Sequence, residues 1–195
     1  MSLTSAAAGF GARAAAAVDR IVRQDRNMVL PKRIPGAPSW VDPARLPRIR
    51  LRDRRAAFPP SAVYTLVRML RICVSGDDYP GVRTVVEAAD RASLAEFGRE
   101  LFETWRAEGF PGALDWPTHA QALLGDDETA RLLGSLIVGS LPLPVAHRAL
   151  DALAAIGTDA VRGQVAEIAT ASSAPRLRRR ASRMLEFWTS KSPVQ

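Results

Sequence analysis

From Trp116 onward the sequence is made of short segments in which apolar residues recur at helical spacing: roughly 117–124 with 127–138, 145–156 with 159–171, and a last one from 174 to 188. Helices this short cannot bury their own stripes, so they must cover one another. Leu124-Gly125-Asp126-Asp127 and Ile156-Gly157-Thr158-Asp159 occupy equivalent places between paired segments, 32 residues apart. A glycine closing one helix and an Asp capping the next is the chemistry of a tight αα-turn. Leu132, Leu133, Leu136 and Ile137 follow the first turn much as Val161, Val165, Ile168 and Ala169 follow the second. Two copies plus a final helix predict an all-α protein with a HEAT-like helical repeat, a short α-solenoid over residues 61–190, ending in a tail at 191–195.

Upstream the pattern changes. Phe10, Ala14, Ala17 and Ile21 predict an N-terminal amphipathic helix within residues 1–27, whose many alanines bury little area. Residues 28–60 hold Pro31, Pro35, Pro38, Pro43, Pro47, Pro59 and Pro60, which deny helix interiors their N–H donors. This predicts a Pro/Arg-rich arm or linker. Within it Arg48, Ile49, Arg50, Leu51 and Arg52 alternate at period two, as a small edge hairpin would. After Pro59-Pro60, Val63, Leu66, Val67 and Leu70 form a helical stripe, and a short helix is expected over 82–89. Leu94, Phe97, Leu101, Phe102 and Trp105 mark the strongest amphipathic helix, with Ser93 and Glu96 as its capping box and Gly109 as its stop.

Composition narrows the function classes. The 195 residues contain one cysteine and two histidines, which excludes a disulfide framework and the common four-ligand Cys/His zinc sites. No stretch approaches the roughly 18 apolar residues of a membrane span, and no basic residue precedes the alanine-rich start as in a secretory signal. These features predict a cytoplasmic protein without membrane attachment. The arginine-heavy composition, with Lys32 and Lys191 the only lysines, points to a bacterium. Net charge is +7, distributed as +8 over residues 1–60 (12 basic, 4 acidic), −6 over 61–175 (9 and 15) and +5 over 176–195 (6 and 1). An acidic middle between basic ends makes global charge a weak guide to partners.

A series of motifs carries a resemblance: Trp40-Val41-Asp42-Pro43 with Leu46-Pro47, Arg50-Leu51-Arg52-Asp53, Pro59-Pro60-Ser61-Ala62-Val63, Ala92-Ser93-Leu94-Ala95-Glu96-Phe97, Glu100-Leu101-Phe102-Glu103, Leu123-Leu124-Gly125-Asp126-Asp127-Glu128-Thr129 and Leu153-Ala154-Ala155-Ile156-Gly157-Thr158-Asp159. Over about residues 38–188 the chain resembles the HEAT-like helical region of large bacterial molybdate metabolism regulator-like or WGR-domain proteins, which carry a C-terminal domain of unknown function. The resemblance implies a fold and an interaction role, with no catalytic residue. It also implies a truncated family member, a split gene product or an excised segment, because the larger C-terminal domain is absent. Asp53-Arg54 stands where the family pattern has Asp-Gly, a departure that opposes a tight hairpin because Arg tolerates φ > 0 poorly.

Individual residues offer little chemistry. Asp126, Asp127 and Glu128 read as capping and dipole compensation, since three consecutive side chains cannot converge like a calcium loop. His119 and His147 read as structural, and Cys73 as a small core residue. No phosphate-binding loop or nucleophile motif is present, so a non-catalytic protein without cofactor is expected. The arginines remain. Arg176, Arg179, Arg180 and Arg183 share one side of the last helix, while Leu177, Ala181, Met184, Leu185 and Trp188 take the other. With Arg48, Arg50 and Arg52 they form the candidate interaction face for a protein partner, or for nucleic acid or an acidic ligand as the alternative. Trp188 falls on the apolar side, so the last helix is expected to lack the stacking aromatic of a single-strand site.

Overall fold

The computed structural model describes residues 36–71, 73, 80–112 and 115–191. The described residues form eight helices and no strand, an all-α protein. Contacts divide the chain into two compact units, Met1–Ala120 and Gln121–Gln195. That boundary falls inside the stretch expected to be one repeat domain, 61–190. The N-terminal helix expected within 1–27 lies outside the described residues, as do residues 192–195 of the tail, whereas Lys191 ends the last helix.

In the first unit α1 (Pro60–Leu70) starts where the paired prolines predict. Pro60 is its first residue after Pro59, whose φ of −71° and ψ of 158° are extended. The helix buries Val63, Leu66, Val67 and Leu70 and packs on α2 (Pro80–Ala88). Cys73 is buried beyond α1, its thiol donating to the Met69 carbonyl. α3 (Arg91–Ala107) buries the whole expected stripe, Leu94, Phe97, Leu101, Phe102 and Trp105. Its cap differs from expectation. The helix begins earlier than the Ser93–Glu96 box requires: Asp90 is the N-cap, accepting from the Ser93 N–H at 3.0 Å. Gly109 ends the helix at φ 76°, and Phe110 turns back so that its ring meets Trp105 edge-on at 5.0 Å.

The proline-rich arm is described from Gly36. Of the two expectations, arm or linker, its packing fits an arm: it contributes to the core of this unit through Val41, Leu46, Ile49, Leu51 and Phe58, all buried. Trp40 stacks on Trp116 at 5.8 Å. Prolines forbid helix here but leave the apolar side chains free to pack, which period-based reading undervalues. The alternation at 48–52 places side chains as expected: Ile49 and Leu51 are buried while Arg48, Arg50 and Arg52 are exposed. Leu51 donates to the Ala56 carbonyl and Phe58 to that of Ile49, both at 2.8 Å, leaving isolated antiparallel bridges rather than strands. The turn forms despite Asp53-Arg54. Arg54 takes φ 59°, a left-handed conformation that costs a non-glycine residue about 1–2 kcal/mol. Its backbone N–H bonds the Leu51 carbonyl at 2.7 Å and its Nε the Asp90 carboxylate at 2.9 Å.

α4 (Trp116–Leu124) spans the boundary between units. In the second unit α5 (Asp127–Gly139) packs on α6 (Leu143–Ile156) and on α7 (Asp159–Ala171), and α7 packs on α8 (Pro175–Lys191). The two equivalent turns stand where the sequence places them but close by different means. At the first, Asp126 accepts from the Thr129 N–H at 2.9 Å and hydroxyl at 3.0 Å. At the second, Thr158 occupies the N-cap without a side-chain bond. Gly157 supplies a left-handed C-cap at φ 67°, whereas Gly125 is needed for closeness: a Cβ there would stand 2.5 Å from the Gln121 carbonyl oxygen and 2.8 Å from Ile156 Cδ1.

Candidate functional site

Of the seven arginines singled out by sequence, Arg48, Arg50 and Arg52 lie in the first unit and Arg176, Arg179, Arg180 and Arg183 in the second. In the first unit the arm and hairpin project Arg45, Arg48, Arg50, Arg54 and Arg55 into an open groove of about 600 Å³, with Pro47, Ala56 and Ala57. Glu96 and Glu100 of α3 complete the lining. Arg52 is exposed but does not line this groove. Sequence reasoning missed Arg45, Arg54 and Arg55, which lie outside the period-two run. It also missed the two glutamates, which share one exposed helix face at i and i+4.

A hub of polar contacts holds this groove. Asp90 caps α3, binds Arg54 through its other oxygen, and donates its backbone N–H to the Arg50 carbonyl at 2.8 Å. Ser93 Oγ accepts the Arg50 N–H at 3.0 Å, and the Arg52 N–H bonds the Ala88 carbonyl. The hairpin is thereby fastened to the start of α3. The Ser93 N–H, and after it the Arg54 guanidinium, hold the Asp90 carboxyl below the usual carboxylate range. Arg45 pairs with Asp42 at 3.5 Å, an exposed contact of small worth. Arg48, Arg50 and Arg55 have no ion pair among the described residues, and neither do Glu96 and Glu100.

In the second unit α8 separates its arginines more finely than a helical wheel does. Arg180 is half-buried and committed within the fold, its guanidinium donating to the His147 carbonyl at 3.2 Å and to the Asp151 carboxylate of α6. Arg176, Arg179 and Arg183 are exposed. Arg179 and Arg183 border an open groove of about 560 Å³ with Ala169, Arg178, Ser182 and Glu186. On the apolar side only Leu177 and Ala181 are fully buried; Met184, Leu185 and Trp188 are half-buried. An aromatic does stand among the arginines: Phe187 is 54% exposed, at i+4 from Arg183 and i+7 from Arg180. That correction was available from sequence, because the spacing alone puts Phe187 on the cationic side.

Asp126, Asp127 and Glu128 form the cap and first turn of α5. Among the described residues no three His, Cys, Asp or Glu side chains converge as a metal site, and no helix is long and apolar enough to cross a membrane.

No family model matches the chain, and no solved structure matches it. It is similar to the uncharacterized protein YehI of Escherichia coli strain K12, 30% identical over 122 residues, which is 63% of this chain and 10% of that protein. The chain spans about a tenth of the length of the curated relative it matches.

Proposed function

We propose that this chain is a non-catalytic, HEAT-like helical-repeat interaction module that binds a protein partner, either a separate protein or a C-terminal domain like that of the large bacterial proteins it resembles. The packing of α5 on α7, with α6 and α8 each set beside α7, supports a stack of helix pairs in which neighbours supply the core. The match to a tenth of a long bacterial protein fits a part played within a larger bacterial protein, and the bacterial cytoplasm is the location proposed with it.

The observation that carries the partner class is the mixed charge of the first unit's groove. Arg48, Arg50 and Arg55 offer guanidinium forks for carboxylates, while Glu96 and Glu100 in the same lining repel a phosphate backbone and attract a basic side chain. A polypeptide segment carrying both signs satisfies both sets, and a nucleic acid satisfies only one. The test is affinity capture from nuclease-treated bacterial extract with the full chain, beside a variant carrying Arg48→Glu, Arg50→Glu and Arg55→Glu. A defined protein held by the wild type and lost by the equally stable variant supports the reading. Equal retention by both, or capture that disappears with nuclease, refutes it.

A further inference from the structure

The first unit's groove is lined by opposite charges carried on different elements. Arg48, Arg50 and Arg55 stand on the arm and its hairpin, and Glu96 and Glu100 stand on α3. All are exposed, yet among the described residues none of them forms an ion pair. The fold spends the other arginines of the lining on itself, Arg45 on Asp42 and Arg54 on Asp90. The free charges are held from behind: Arg50 donates its N–H to Ser93 Oγ and accepts the Asp90 N–H on its carbonyl, and Ile49 and Leu51 beside it are buried. Spacing then selects the shape of the occupant. Arg48 and Arg50 are two residues apart in an extended run, about 6.6–6.8 Å, and Glu96 and Glu100 are one helical turn apart, about 6 Å. An extended segment repeats its side chains on one face at the same interval and sends the residues between to the opposite face. A helix turns about 100° per residue and has no such two-faced alternation. Each set of charges also rejects one class of polyion, the glutamates a run of acids or phosphates and the arginines a run of bases.

We infer that this groove binds an extended polypeptide segment in which acidic and basic residues alternate, the acids meeting Arg48, Arg50 and Arg55 and the bases meeting Glu96 and Glu100. The inference rests on the protein-partner reading and specifies the segment that the partner presents. Exposed ion pairs are individually weak, so the groove discriminates by pattern more than by strength. A shift of one residue carries every side chain of an extended chain to its opposite face. An alternating segment therefore fits the two sets of charges in either polarity, which a segment with separate acidic and basic blocks does not.

The test is fluorescence anisotropy of the full chain with labelled peptides of about ten residues, too short to be helical alone in water. They are alternating Glu and Lys, a Glu block followed by a Lys block, all Glu and all Lys, beside a longer helix-forming peptide with Glu and Lys at i and i+4. The alternating peptide should bind at least about tenfold more tightly than each of the others. Changing Glu96 and Glu100 to Arg should move the preference to the all-Glu peptide. Adding Arg48→Glu, Arg50→Glu and Arg55→Glu to that variant should return it to the alternating peptide, one residue out of register. All five side chains are exposed, so each variant should melt as the wild type does. Equal binding of the alternating and block peptides, tighter binding of the helical or all-Glu peptide by the wild type, or a folded five-charge variant that still prefers all Glu would each overturn the inference. Capture of a protein through Arg48, Arg50 and Arg55 by a chain without preference for alternation overturns this inference alone, whereas failure of that capture overturns the partner reading with it.

Discussion

Two glycines inside helices of the second unit provide a sign test of how closely α5 and α7 approach. Gly163 of α7 is exposed, and a Cβ built there meets nothing within 4 Å. Replacing it with Ala should therefore stabilise by the ordinary propensity difference, about 0.8–1.0 kcal/mol. Gly134 of α5 is buried, and a Cβ there would overlap Gln164 Oε1 and stand 2.8 and 2.9 Å from Gln164 Cδ and Cβ. The same propensity gain applies, but the crowding opposes it by about 1–3 kcal/mol. Subtracting the two variants cancels propensity and leaves the collision. In urea or thermal denaturation Gly163→Ala should raise Tm by about 2–4 °C, with Gly134→Ala about 1–3 kcal/mol less stable than Gly163→Ala. Adding Gln164→Ala to Gly134→Ala should recover part of the loss, because it removes Oε1 and Cδ. If Gly134→Ala stabilises as much as Gly163→Ala, the close α5–α7 packing is wrong, and with it the main support for a stacked repeat.

Leu185→Ala should cost about 1–2 kcal/mol, below the 2–5 kcal/mol of a fully buried leucine, whereas Leu133→Ala should cost the full amount; equal losses in urea denaturation would place Leu185 in the core after all. Arg180→Gln should lose about 0.2–1 kcal/mol through its pair with Asp151, while Arg179→Gln should melt unchanged. Because the Asp90 pKa is lowered in the folded chain, its stabilising effect is full above the ordinary carboxylate pKa and is lost as pH falls through the lower folded value. Asp90→Asn keeps a capping oxygen without the charge. The stability gap between wild type and this variant, followed by urea denaturation from about pH 7 to about pH 2, should hold steady at first and then shrink in acid. A gap that persists to the lowest pH would remove the charge of Asp90 from the hub.

What the sequence by itself determined is local. Helix positions in the second unit, the 59–60 start of α1, the stop at Gly109 and the in-and-out alternation at 48–52 all follow from periods and caps encoded within a few residues. The same arithmetic puts Phe187 on the arginine side, against the expectation that the last helix lacks an aromatic there. The tertiary structure alone decided which distant groups meet. Arg54 reaches Asp90 across 36 positions and Arg180 reaches Asp151 across 29, so one arginine becomes a fastening of the hairpin and another leaves the exposed face. The share of the core that the expected arm or linker supplies was not legible, because prolines disrupt the periodic signal without removing the apolar side chains that carry burial energy. The mixed-charge groove was invisible for the same reason: Arg48 and Glu100 share it through packing between an irregular segment and a helix, and no local period reports that meeting. Even the two matching turns, alike in position, owe their glycines to different causes, a left-handed backbone at Gly157 and a crowded approach at Gly125 that only packing imposes.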